Sequence, residues 1–507
     1  MPQRYFTIAL IWICLSRAGA LPAQNNYWTQ AYSAYSILTG GTCMTCASDN
    51  SVFVYNPGAI GFLDTLNVNI SANLYGLDHL SLKNGAGPGY DLTSNKLNLN
   101  AQVLSGTISF KKIPKLRMIY GYVLRNFTKF DFETQADMSY DVISASPGPE
   151  HFRAKYDQSY SYVEYWGGIA AAYQVNEHLS LGLGHYGGYI GMQGELFQQA
   201  TADVIDPSAT PYSASMTSRY KYAVNHVYIL FKPGMELKFG NYKIGLAAML
   251  PSVKLFSAGK MYQSVDAVNL PAGDTLSVFH RYPNLTIVGD QHNIHTQYKL
   301  PASISLGLEY GNDKFRVAVT AEYFFAVKEY DLLRGSNNVY ALPSAVYGTD
   351  PIPDFMRIRT GARQVINAGA GYDIRLSQKI SLLGGFRTDF NNKVPLLSDH
   401  YKDYIVAADP EYWNYIHFST GVSIARPHSK IFLGFTYKYG FSNYHTAFAN
   451  FAEPSDVYYL AGPQRYDMGL SSHGISFVLG YTNFSSALFG LPLKAAKQAG
   501  TPDVLAP

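Results

Sequence analysis

"LNVNISANLY", Leu66 to Tyr75, decides what kind of chain this is. Leu66, Val68, Ile70, Ala72 and Leu74 share one parity; Asn67, Asn69, Ser71, Asn73 and Tyr75 share the other. Successive side chains of a β-strand point to opposite faces, so the stretch reads as a strand with one greasy and one wet side. The pattern recurs downstream. In "FRVAVTAEYFF", Phe315, Val317, Val319, Ala321 and Tyr323 oppose Arg316, Ala318, Thr320 and Glu322. In "KISLLGGFRTDF", Ile380, Leu382, Gly384 and Phe386 oppose Ser381, Leu383, Gly385, Arg387 and Asp389. Charges keep off the greasy parity, as a lipid-facing surface demands.

Strands are expected at 65–77, 97–112, 116–132, 159–175, 179–193, 220–239, 242–258, 297–311, 314–328, 363–375, 379–391, 413–426, 429–443 and 472–485. That is about fourteen, and most exceed the ~9–11 residues that cross a bilayer at a tilt. Their connections alternate. "KIPK", "VNEH", "GNY", "GND", "LSQK" and "PHSK" are short. The others, near 78–96, 133–158, 194–219, 259–296, 329–362, 392–412 and 444–471, are long. Short turns at one end and long loops at the other mark a transmembrane antiparallel β-barrel rather than a soluble sandwich. In hydrocarbon an unpaired backbone group costs several kcal/mol, so the last strand must pair with the first.

Composition agrees. Of 507 residues only 15% are charged, and the net charge of +3 is too small to argue for nucleic acid. Tyr alone supplies 42 residues. Tyr162, Tyr165 and Trp166; Tyr220 and Tyr222; Tyr323 to Phe325; Tyr437, Tyr439 and Phe441; and Tyr481 and Phe484 are expected to form two interfacial girdles. Residues 1–23 read as a signal peptide: Arg4, the short apolar run Ile8 to Leu15, then cleavage after Ala23, or after Ala20. Cys14 would leave with it. Residues 24–64 form a separate N-terminal segment, 65–485 the barrel and 486–507 a periplasmic tail rich in Ala, Gly and Pro.

Chemistry-bearing motifs are few. Cys43 and Cys46 form a C-x-x-C without the strand–helix setting of a redox site. Haem attachment would need His where Ala47 stands, and no further zinc ligands lie nearby. The expectation is a local disulfide in an exported loop, with two separate thiols as the alternative. "GLGHYG", Gly182 to Gly187, matches a dinucleotide pattern but lies inside a strand, where glycines on a crowded wall are the better reading. No enzyme motif, metal site or cofactor is expected.

Lumen-facing charges are more informative. If Asn312-Asp313 is a two-residue turn, Glu309 stands opposite Arg316 as a structural ion pair near the periplasmic rim. Arg125 could pair with Glu164 on the adjacent strand. Arg387 and Lys438 have no partner evident in sequence. Arg387, Lys438 and Arg125 are the candidates to hold a ligand carboxylate, with partners from neighbouring strands or loops as the alternative. Val365, Leu383, Phe432, Val478 and Met249 also fall on the inward parity. A lumen so mixed suits a plugged barrel or a greasy ligand.

The segment "GGTCMTCASDNSVFVYNPGAIGFL", Gly40 to Leu63, resembles the N-terminal region of the FadL-type outer-membrane transporters of hydrophobic compounds. The matching positions are Gly40, Gly41, Asp49, Asn50, Ser51, Tyr55, Asn56, Pro57 and Gly58; Gly58 stands where the family pattern has Ala. The strand number and the hairpins "NYKIGLAAMLPSVKLF" and "YKLPASISLGLEYGNDKFRVAVTAEYFF" look like that family too, and the many Tyr with a Gln24 start look like its Bacteroidota branch. The resemblance implies a plug, or hatch, at 24–64, carrying Asp49, Asn50, Tyr55, Asn56, Pro57 and Gly58. It implies a monomer in a Gram-negative outer membrane, in contact with its lipid. Hydrophobic compounds such as long-chain fatty acids would enter passively and leave sideways through the wall. Rival expectations are a plugged barrel serving a secretion system as scaffold or shuttle, and an outer-membrane lipid hydrolase, which would need a Ser/His pair at the rim.

Overall fold

A computed structural model describes residues 26–46, 49–63, 68–206, 208, 212–270, 283–336, 339–342, 355–392, 413–463 and 465–483. The expected signal peptide with Arg4 and Cys14, the tail at 486–507, Phe484, and Leu66 and Asn67 of the opening strand lie outside them. Fourteen strands form a closed antiparallel ring. In ring order they are β1 (Val68–Lys83), β2 (Leu92–Phe110), β3 (Ile113–Tyr140), β4 (Glu150–Gln174), β5 (Leu179–Val204), β6 (Ser213–Phe239), β7 (Tyr242–Met249), β10 (Ser303–Gly311), β11 (Phe315–Phe324), β15 (Val365–Arg375), β16 (Ile380–Asp389), β17 (Asn414–Arg426), β18 (Ser429–His445) and β19 (Met468–Asn483). β19 closes on β1, with Val68 opposite Asn483 and Lys83 opposite Gly469. Ile70, Val317, Val319, Ile380 and Phe386 are exposed on the outside, while Asn69, Ser71, Thr320, Glu322 and Arg387 are buried inside. The inward apolar positions Val365, Leu383, Phe432, Val478 and Met249 are all buried.

Five further strands correct the expected boundaries: β8 (Val253–Val268), β9 (Leu285–Ile294), β12 (Val327–Arg334), β13 (Tyr340–Leu342) and β14 (Arg357–Ala362). The expected strand 242–258 is broken at Leu250-Pro251-Ser252, because proline cannot donate to the ladder. Above that break β6 pairs with β8, and β9 and β13 extend the sheet; β12 and β14 pair separately. Much of the expected long loops is therefore strand. β3 to β6 run 28, 25, 26 and 27 residues, far beyond a bilayer crossing.

The extensions were hidden because their polarity inverts. In β4, Phe152, Ala154, Tyr156 and Tyr160 are buried inside, while His151, Arg153, Lys155 and Asp157 face out. Ion pairs link the outer face across strands: Arg153 to Asp203 at 2.7 Å, Lys155 to Glu133 at 3.2 Å and Arg219 to Glu195 at 2.8 Å. The aromatic expectation needs the same correction. Tyr162, Trp166, Tyr220, Tyr222 and Phe324 are buried in the interior, not placed in a girdle. Their rings pack away from water, and Tyr162 and Trp166 both donate to Glu164. Tyr437, Tyr439 and Tyr481 do face outward.

The wall between β2 and β3 lacks part of its ladder. β2 and β3 pair only from Val103–Val123 to Phe110–Ile113. Beyond that level β2 continues bonded to β1, and β3 continues bonded to β4. Both strands bulge where they part, at Gln102 and at Arg125.

Candidate functional site

Residues 26–46 and 49–63 lie inside the ring and bond to strands on all its sides. α1 (Ala34–Leu38) starts at a capping box in which Ser33 Oγ accepts from Ser36 N, and Ser36 Oγ accepts from Ser33 N. Gly40 and Gly41 then take φ of +64° and +77°. The left-handed turn presses Gly40 on the backbones of Ala370 and Phe386, where a side chain would have no room. α2 (Val52–Tyr55) follows, then a 3-10 turn at Pro57–Phe62.

Asp49 and Asn56 organise this segment. Asp49 Oδ1 accepts from Ser51 N and Ser33 Oγ, both at 2.8 Å, and Oδ2 accepts from Asn69 of β1 at 3.2 Å. Burial still pushes its carboxyl above the ordinary aspartate range, against those bonds. Asn56 Oδ1 accepts from Gly58 N at 3.0 Å; its Nδ2 donates to Met44 O at 2.9 Å and to Met235 O of β6 at 3.0 Å. Pro57 fits the first position of the 3-10 turn, where no donor is needed. Gly58 abuts the backbone of Met235. Asn50 and Tyr55 are buried, and the Tyr55 ring lies 5.0 Å from that of Tyr32.

The wall is shaped to receive the segment. Gly182, Gly245, Gly307, Gly385, Gly434 and Gly480 lie where a Cβ would strike it. This is what Gly182 of "GLGHYG" does: it meets Pro57, and no helix follows. Cys43 and Cys46 carry no disulfide, which corrects the expectation. The two thiols are buried and hydrogen-bonded to each other, and burial pushes Cys43 up from its ordinary value. The residues between them anchor the turn instead: Met44 packs on Gly307, and Thr45 Oγ1 donates to Glu309 Oε2 at 2.7 Å.

Each expected interior charge turns out to be engaged. Arg316 Nε meets Glu309 Oε2 at 2.8 Å, but Glu309 stands opposite Ala318, not Arg316. The turn centres on Asp313-Lys314, with Asn312 N bonded to Phe315 O, so the register moves and Arg316 reaches diagonally. Lys243 joins the pair at 2.9 Å. Arg125 does not pair with Glu164. As the bulged residue it turns inward, donates to Tyr27 O and lies 5.2 Å from the Trp166 ring centre. Glu164 accepts from Tyr228, Trp166 and Tyr162 instead. Arg387 donates to Trp28 O at 3.1 Å and Thr29 O at 3.0 Å, while neighbouring Asp389 accepts from Trp28 N and Thr29 Oγ1. Lys438 pairs with Asp78 of β1 at 2.8 Å. Gly474 of β19, opposite both, leaves the space in which they meet.

An enclosed space lies between this segment and the wall, lined by Trp28, Tyr32, Tyr55, Arg125, Lys232, Glu322 and Arg387 among others. Its volume of ≈20 Å³ admits little more than one water molecule. Glu322 there is satisfied by Trp28 Nε1 at 2.8 Å and Ser303 Oγ at 2.6 Å. Lys232 is buried, and Glu322 in the same lining supplies the opposite charge. Lys232 was not among the sequence candidates. Its inward parity with Tyr228 and Leu230 was the available signal.

No model of a protein family matches the chain, and no curated protein does. Solved structures do. A FadL homologue from Pseudomonas aeruginosa superposes with a TM-score of 0.54 at 15% identity, covering 90% of this chain and 99% of that one. The toluene transporter TodX from Pseudomonas putida superposes with a TM-score of 0.51 at 13% identity, covering 90% and 98%. The closed ring, its apolar exterior and these likenesses agree: the chain has the fold of the FadL-type β-barrels.

Proposed function

We propose that the chain takes up hydrophobic compounds across the outer membrane as a plugged, non-enzymatic, monomeric channel, and that amphipathic acids such as long-chain fatty acids are among its cargo. The observation that carries this reading is the pairing of a filled lumen with a broken wall. Among the described residues, the space between 26–46, 49–63 and the wall beside Trp28, Tyr32 and Glu322 is ≈20 Å³, whereas β2 and β3 part nearby. A greasy molecule that leaves sideways through that seam enters lipid without returning to bulk water, which is the favourable route for apolar surface. Segment 24–64 is then the plug, and it must shift for cargo to pass. Both lips of the seam hold it: Gln102 of β2 bonds Gln30 at 3.1 Å, and Asn126 of β3 bonds the Asn26 carbonyl at 3.0 Å.

Lys232 supports the acidic part of the reading. Its ammonium is buried with the attraction of Glu322, whose oxygens already accept from Trp28 and Ser303, and a ligand carboxylate would give it a direct acceptor. Lys232→Met is expected to weaken binding of a fatty acid by about tenfold, the worth of a charge-assisted hydrogen bond, and to leave a neutral hydrocarbon unchanged. Tryptophan quenching on titration with each ligand measures this. Equal loss for both ligands would deny Lys232 that role.

A further inference from the structure

The seam between β2 and β3 is spanned at its upper part by side chains instead of backbone. Lys96 of β2 forms an ion pair with Asp131 of β3, and Asp131 N donates to Ser94 Oγ at 3.1 Å. Two small cavities lead to this point from inside. One, ≈60 Å³, is lined by Asp78, Asn98, Phe127, Arg387 and Lys438 among others. The next, ≈40 Å³, shares Thr29, Asp78, Phe127 and Lys438 with it and reaches Ser94, Lys96 and Lys129. The two linings carry Lys96, Lys129, Arg387 and Lys438 against the carboxylate of Asp78, so the path holds a surplus positive charge. The Asp131 side chain is 56% exposed and that of Lys96 23%. A pair so open to solvent is weak and easily exchanged.

We propose that Lys96 and Asp131 form a latch on the seam, opened when an anionic head group takes the place of Asp131 on Lys96. The proposal rests on sideways release and adds to it a means of choosing cargo. An acid arriving through the cavities brings the counter-ion that frees Asp131, and the β2 and β3 lips then part. A neutral molecule of the same chain length brings none and meets a latched seam.

The test uses the full chain in liposomes and follows transfer of laurate and of methyl laurate. Intact protein should pass laurate faster than its ester. Asp131→Asn removes the latch and should raise ester transfer about threefold, the scale of an exposed ion pair, with little change for laurate. Lys96→Met should raise the ester and lower the acid, abolishing the discrimination. An acid-to-ester ratio unchanged in both variants would overturn the latch. A Lys96→Cys/Asp131→Cys double variant, bridged by a short dithiol-reactive reagent, should stop both cargoes. Transfer that persists after complete bridging would overturn sideways release itself, whereas a block with an unchanged ratio would leave the route standing and remove only the latch.

Discussion

Asn56 shows how much one side chain decides. It ties its own turn, the Met44 carbonyl and the wall at Met235. Asn56→Ala would strand three buried backbone groups, an expected loss of about 2 kcal/mol or more. Limited proteolysis should then cut within residues 26–63, which stay protected in the intact chain. Arg387 is a residue of the same kind. Its donors already serve Trp28 and Thr29, so Arg387→Ala should loosen the segment and weaken acid and neutral ligands alike. Titration of both ligands would show it; selective loss of the acid would return Arg387 to the ligand. Asp49 and Asn56 were legible as a local motif. The partners of Arg125, Arg387 and Lys438 were not, because each comes from a strand or segment distant in sequence. Lys232 was overlooked because its place beside Glu322 in a buried space is something only packing reveals.

Strands were legible wherever the outward parity was greasy. Their upper ends were not, because above the membrane the outside becomes charged and the inside aromatic, as in Phe152, Arg153, Ala154 and Lys155 of β4. The two-residue period persists there, but its meaning reverses. The break at Pro251 was likewise written in the sequence as a residue that cannot pair. The wall glycines were visible, yet their purpose depends on what lies against them. Gly385 touches Thr39 and Gly40, so Gly385→Val leaves the segment no room at β16. That variant should fold as a barrel and show ion conductance in planar bilayers that the intact chain lacks. A silent Gly385→Val barrel would mean the segment is not seated on that wall.

At the scale of the molecule, closure and filling are consequences of the same rule. Every backbone group in hydrocarbon needs a partner, so the ring must close, and where β2 and β3 part, polar groups bridge the gap. The ring size followed from counting strands. The seam did not, since both of its strands continue past the point where they part. On this reading the barrel's own leading segment blocks a lumen otherwise wide enough to conduct. Removing residues 26–61 and recording single channels in planar bilayers tests that claim most directly, with heat-modifiable gel mobility confirming a folded barrel. Large, steady ion currents are expected from the shortened chain and none from the intact one; a folded, shortened barrel that stays closed to ions would refute the plug.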